Sequence, residues 1–189
     1  MGFRRGFKAE AERISSEVRG ELGLGATDTL DPFGLATHLG VPVYSLGQLR
    51  AFCANPIFVK VFSVEEQDSF SAMTVFVGTQ RIIIHNESHA RTRQVSNVAH
   101  EISHCLLEHP PARISSSGCR HWERNVEDEA TWLGAALLVP RAGALQLALR
   151  GCGVAEIAGV FGVSESLCRW RVAQTGIAVQ LQRRRRFDL

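Results

Sequence analysis

Residues 100–104 read His-Glu-Ile-Ser-His, and the segment around them constrains the fold more than any other. Two imidazoles four positions apart stand one turn from each other on one face of an α-helix. Val95, Val98, Ala99, Ile102, Leu106 and Leu107 recur at helical spacing behind them. Ser96 or Thr92 supplies a start, and Pro110-Pro111 a firm stop. The spacing therefore predicts a helix with an apolar back and a His-Glu-His front. Both imidazoles reach one metal ion, and Glu101 beside them can take a proton from a water held there. Two surface histidines on an amphipathic helix are the plainer reading of the same residues.

A hydrolytic metal site of this kind needs a third protein ligand and one position left for water. A second helix is expected over 126–138. Val126, Ala130, Leu133 and Leu137 form its apolar stripe; Glu127, Thr131 and Gly134 form an adjacent stripe of small or polar groups. Small residues let two helices approach closely, and a carboxylate on that stripe can meet the histidine pair. Two residues turn a helix by about 200°, so Glu129 points the other way, and Glu127 is preferred to Glu129 and Asp128. A solvated acidic first turn suited to the helix dipole is the competing account of Glu127.

The 189 residues suit one domain or a domain with a small appendage, and 45% hydrophobic content supports a real core. A net charge of +2 gives no overall field directed at nucleic acid. Five widely spaced cysteines, an odd number with no Cys-x-x-Cys, argue for reduced thiols and a cytoplasmic setting rather than a disulfide framework. Cys105 reads as a packing residue. No signal peptide and no apolar run of membrane-spanning length is evident, so no membrane partner is expected.

Along the chain, residues 5–22 have helical periodicity. Asp31-Pro32 starts a short helix reaching Leu39. Residues 41–44 form a short strand that Pro42 places at an edge. Residues 46–66 are ambiguous, with Ile57 to Phe62 strand or helix. Residues 70–77 and 81–85 form a hairpin across 78–80, and which strand lies nearer the cleft is left open. This order is α+β: a mostly helical part, 1–140, with a small sheet. His85 and His89 read as surface residues near the cleft. His121, just before the third-ligand helix, is a candidate for steadying a developing oxyanion.

Pro140 marks a boundary, and 141–189 reads as a separate helical module. Residues 154–167 have a helix-turn-helix pattern: small Ala158 at a helix crossing, Gly162 at the turn, Ser164 as the next cap. From Ser164 onward six arginines stand against Glu165 and Asp188. Arg169 and Arg171 are the candidate nucleic-acid contacts, and Arg183 to Arg186 a solvated tail or phosphate contact. The second helix offers few groups to read bases, so a docking or structural role is preferred to sequence-specific DNA binding.

The run His100-Glu101-x-x-His104, then Glu127-x-x-Ala130, then Leu137-Leu138-Val139-Pro140, resembles the ImmA/IrrE family of metallopeptidases. The likeness extends to residues 7–12, 31–41, 70–72 and 81–84, and past the peptidase part to Val163-Ser164 and Arg169. It implies a zincin-like peptidase domain in which His100, His104 and Glu127 bind the metal and Glu101 is the base. Zinc suits two histidines and one carboxylate, with manganese the alternative. The resemblance also implies a protein substrate, a helix-turn-helix repressor whose cleavage relieves control of stress-response or mobile-element genes. Three positions depart from the family pattern: Ser103 stands for Gly, Leu133-Gly134 for Phe-Ala, and Thr131 for an Asn or Asp that supports a metal ligand from outside. A DNA-binding or repressor-sequestering regulator with an inactive peptidase-like domain is the alternative function.

Overall fold

Helices supply most of the core, and their apolar faces determine how they meet. The computed structural model describes residues 2–52, 70–110, 113–114, 120–121 and 123–180. Helix α1 (Phe7–Glu21) buries Phe7, Ala11, Ser15, Val18 and Arg19 on one face. Helix α2 (Pro32–His38) is capped by Asp31, whose carboxylate accepts from the backbone N–H of Phe33 and Gly34.

Strand β1 (Val43–Ser45) leads into α3 (Leu46–Phe52), which resolves the first part of the ambiguous 46–66 region as helix. Residues 53–69, including the expected element at Ile57 to Phe62, lie outside the described residues. Strands β2 (Ala72–Val77) and β3 (Gln80–His85) pair antiparallel from Ala72↔His85 to Val77↔Gln80. Among the described residues the sheet order is β1-β3-β2, with β1 parallel to β3 and at an edge, as Pro42 suggested. The hairpin turn is tighter than expected. Gln80 joins the ladder, leaving a two-residue loop in which Gly78 takes φ 62°, a conformation that costs glycine little.

Helix α4 (Arg91–Leu106) starts one residue before Thr92 and five before Ser96. In its first turn, Gln94 Nε2 reaches back to the carbonyls of Glu87 and His89, at 2.9 and 2.7 Å. A short pair, β4 (Arg113–Ile114) with β5 (Arg120–His121), separates it from α5 (Arg124–Leu138). Strands of two residues are too short to show alternation, so neither is legible from residue pattern. Helix α5 begins two residues earlier than Val126.

Helices α6 (Arg141–Leu149), α7 (Val154–Phe161) and α8 (Glu165–Gln174) follow. Gly162, at φ 66°, ends α7, and the Ser164 hydroxyl accepts from Leu167 N–H at 3.3 Å to start α8. Pro140 does separate α5 from α6, but the core does not stop there. Ala144, Ile157, Phe161, Cys168 and Ile177 share one apolar cluster with Phe7, Leu35, Ile102 and Leu133. Trp170 meets Trp132 edge-to-face with centroids 5.6 Å apart.

Arg171 belongs to this join, which corrects its assignment as a nucleic-acid contact. Its side chain is 0% exposed, it pairs with Glu12 of α1, and its Nε donates to Val139 O at 3.1 Å. Its guanidinium lies 5.2 Å from the Trp132 ring. Burial pulls its pKa below the usual arginine range, and Glu12 opposes that pull. Counting arginines by sequence could not reveal a partner 159 positions away.

Removing one partner of a buried pair strands the other charge, at a cost of roughly 3–5 kcal/mol. Glu12→Ala is expected to lower unfolding free energy toward that range in urea titrations. Glu12→Leu combined with Arg171→Met is expected to recover most of the loss.

Candidate metal centre

The site is built where α4 and α5 cross. A Cβ placed on Gly134 would sit 3.2 Å from the carbonyl carbon and oxygen of Ala99 and from the backbone N of His100. The small-residue stripe of α5 thus lets the two backbones nearly touch. Glu127 lies seven residues, or two turns, before Gly134 on the same face, and so arrives opposite His100 and His104.

His100 Nε2 and His104 Nε2 are 3.1 Å apart. Glu127 Oε2 is 3.2 Å from the first, and Glu127 Oε1 is 3.5 Å from the second. A tetrahedral ion with bonds of about 2.0–2.1 Å requires ligand atoms about 3.3 Å apart. The three side chains therefore fit one divalent cation. They are 26%, 14% and 28% exposed, so the cluster is partly open to solvent rather than sealed in the core. Among the described residues, these three form the one group arranged this way.

The electrostatics suit a cation. Burial alone would raise the Glu127 carboxyl. Hydrogen bonds to His100 and His104 and the charge of the two rings outweigh burial and hold it at about 2. Glu101, next to His100 on the same helix front, accepts a 2.7 Å hydrogen bond at Oε2 from the Thr74 hydroxyl of β2. Both strands of the hairpin reach this helix: Thr74 of β2 meets Glu101, and Arg81 of β3 donates to the carbonyl of His104 at 3.0 Å.

Each ring nitrogen facing away from the cluster also has a neighbour. His100 Nδ1 lies 3.4 Å from Thr131 Oγ1. His104 Nδ1 lies 2.9 Å from Nδ1 of His109. His109 Nε2 faces Glu129 Oε2 at 3.8 Å, and both side chains are buried. Burial first, and the neighbouring His104 second, push His109 down to about 4.

Other candidate residues lie elsewhere. His121 is in β5, with its side chain outside the described residues. His85 is not on the surface: it is buried, packs edge-to-face on Phe33 at 5.2 Å, and burial lowers its pKa. His89 contacts Asn86 at 3.4 Å. Arg169 is exposed and pairs weakly with Glu165, one turn away, at 3.7 Å. Arg171 is in the core, and Arg183 to Arg186 lie outside the described residues. Cys105 is a partly buried free thiol.

Sequence reading missed Thr74, His109 and Glu129. His109 is five residues past His104, off the helical period. Thr74 is 27 residues upstream on a strand, with no local signal. Glu129 stands outside the His100, His104 and Glu127 group, and its contact with His109 depends on a turn the sequence does not announce.

Two expectations follow. Thr131→Asp places a charged acceptor by His100 Nδ1, and Zn2+ affinity measured by chelator competition should rise by about tenfold. The metal-free protein should lose stability as pH falls. His109 and His85 are held neutral in the fold, so the unfolded chain binds more protons below about 6.5, and the loss from His109 continues to about 4. The contribution of Glu127 is full above about 4.5 and is lost as pH falls through about 2. Urea unfolding at stepped pH should show this decline, shallower between pH 6.5 and 4 in His109→Gln.

No curated protein matches the chain. Residues 56–172 match the family model of the IrrE N-terminal-like domain, peptidase M78. That match spans more than half of the chain and contains both ligand helices. With its two-helix His-His-Glu cluster, the chain belongs to the IrrE N-terminal-like family of metal-dependent peptidases.

Proposed function

We propose that the protein is a zinc-dependent endopeptidase that cleaves a helix-turn-helix repressor. The observation that carries the catalytic part is the triangle of His100 Nε2, His104 Nε2 and Glu127, with 3.1, 3.2 and 3.5 Å edges. Two imidazoles and one carboxylate match zinc, and manganese is the alternative occupant. When bound there, the ion lowers the pKa of a water toward 7 and polarises a carbonyl.

The chain's own residues do the rest. Glu101 takes the proton from the attacking water and hands it to the leaving peptide nitrogen. The Thr74 hydroxyl, at Oε2, restrains the carboxylate and leaves Oε1 for proton transfer. Among the described residues, strand β2 lies at an edge of its sheet. An extended peptide added along that edge would run beside Glu101, held by main-chain hydrogen bonds. Family membership and the edge strand support a protein substrate. The repressor as substrate rests on the likeness to anti-repressor peptidases. The free thiols of Cys105, Cys152 and Cys168 suit a cytoplasmic location. Among the described residues no single helix is long and apolar enough to cross a membrane.

The test is incubation of the full chain with a small repressor encoded beside its gene, with and without chelator, reading new peptide ends by mass spectrometry. His100→Ala should lose the metal, found otherwise at about one ion per chain by elemental analysis. Glu101→Gln should keep the ion and slow cleavage by about 10²–10⁴-fold. Cleavage by Glu101→Gln at the wild-type rate would remove Glu101 from the mechanism. Repressor binding without new ends would favour a sequestering regulator.

A further inference from the structure

The end of α4 is built around His109. Glu108 has φ 52°, the one positive φ outside glycine among the described residues. A side chain is strained there, and such strain persists only where surrounding contacts enforce it. Arg81 of β3 enforces this one, donating to the carbonyls of His104 at 3.0 Å and His109 at 3.2 Å. The turn sends the chain back, so that His109 N–H donates to His104 O at 3.0 Å and the two rings stand 5.0 Å apart.

The rings are joined Nδ1 to Nδ1 at 2.9 Å. Two nitrogens at that distance share one proton. A cation on His104 Nε2 leaves the His104 proton on Nδ1, which makes His109 Nδ1 the acceptor and puts the His109 proton on Nε2. That nitrogen faces the buried carboxylate of Glu129 at 3.8 Å. The far oxygen of Glu129 lies 3.4 Å from both Arg4 Nε and Arg4 N, so the carboxylate is itself fixed. His100 has no such support among the described residues: its outward nitrogen meets the exposed Thr131 hydroxyl at 3.4 Å.

We propose that His109, oriented by Glu129, is a positioning residue of the metal centre, accepting the Nδ1 proton of His104 and holding its Nε2 lone pair on the ion. The inference rests on the reading of His100, His104 and Glu127 as a metal site. A metal-bound histidine is fixed in tautomer and ring angle by what its other nitrogen contacts. Here that contact is another imidazole backed by a carboxylate, which makes His104 the better-held of the two ring ligands.

The experiment is Zn2+ titration of the full chain against a chromophoric chelator, with the unfolding midpoint of the metal-free protein recorded for each variant. His109→Leu should weaken Zn2+ binding by about tenfold or more. His109→Gln, whose amide oxygen can accept the same proton, should stay within about threefold of wild type. Equal affinity in His109→Leu and wild type would overturn the proposal. So would a His109→Gln chain as weak as His109→Leu, since only packing would then be at work. A wild-type chain that takes up no Zn2+ would refute the underlying metal reading, and the first titration shows it. Nitrogen NMR of the zinc-loaded wild type needs no variant to fold. It should find His104 protonated on Nδ1 and His109 on Nε2; a His109 proton on Nδ1 would sink the idea.

Discussion

Everything functional in this molecule depends on how closely α4 and α5 approach. Gly134 leaves only a tight fit for a Cβ between α5 and α4, where one would sit 3.2 Å from the backbone of Ala99 and His100. A helix pair separated by ordinary side chains crosses at 8–10 Å or so, and the shortest carboxylate-to-imidazole path lengthens with it. At the observed approach, Glu127 reaches both rings without stretching. Side chains from different helices then form a triangle whose edges differ by only a few tenths of an ångström. The residue that makes the site possible carries no chemistry of its own.

The crossing is held from behind by α1. Ser15 donates its hydroxyl to Ala136 O at 2.7 Å, and Arg19 donates to Leu137 O at 3.0 Å. Those are carbonyls near the C-terminal end of α5, where a helix runs out of its own donors. Arg19 also reaches the carbonyls of Gly25 and Asp28, and Glu12 pairs with Arg171 of α8. Two buried guanidinium groups thus connect α1 with the end of α5 and with α8. Burying them is unfavourable unless their donors are met. Arg19 meets three backbone carbonyls and Arg171 one carbonyl and a carboxylate, while Arg19 Nε and Arg171 Nη1 stay buried without a partner among the described residues. The polar ties specify which helices meet, and the surrounding Phe7, Trp132, Leu133 and Phe161 provide the apolar burial.

Sequence reading succeeded where one helix carries the information. The histidine pair, the apolar back of α4 and the choice of Glu127 over Glu129 all follow from 3.6 residues per turn. It failed where partners are brought together by the fold. His109 depends on a left-handed turn at Glu108, a residue that seldom adopts one. Arg171 looks like any surface arginine until Glu12 is placed against it. The hairpin was right in its strands and one residue loose in its turn, because Gly78 and Thr79 suffice when glycine takes the positive φ. The resemblance to the peptidase family covered these elements but said nothing of Thr74 or His109, whose contacts are properties of this chain.

Thr74 ties the sheet to the chemistry in a way that reaches beyond one hydrogen bond. Side chains alternate along a strand, so a slip of β2 by a single residue would swing Thr74 to the opposite face and present Met73 or Val75 to Glu101. The carboxylate would then lose its tether and face a hydrocarbon wall. The phase of β2 against β3, set by the two-residue bend at Gly78-Thr79, therefore decides which side chain Glu101 meets.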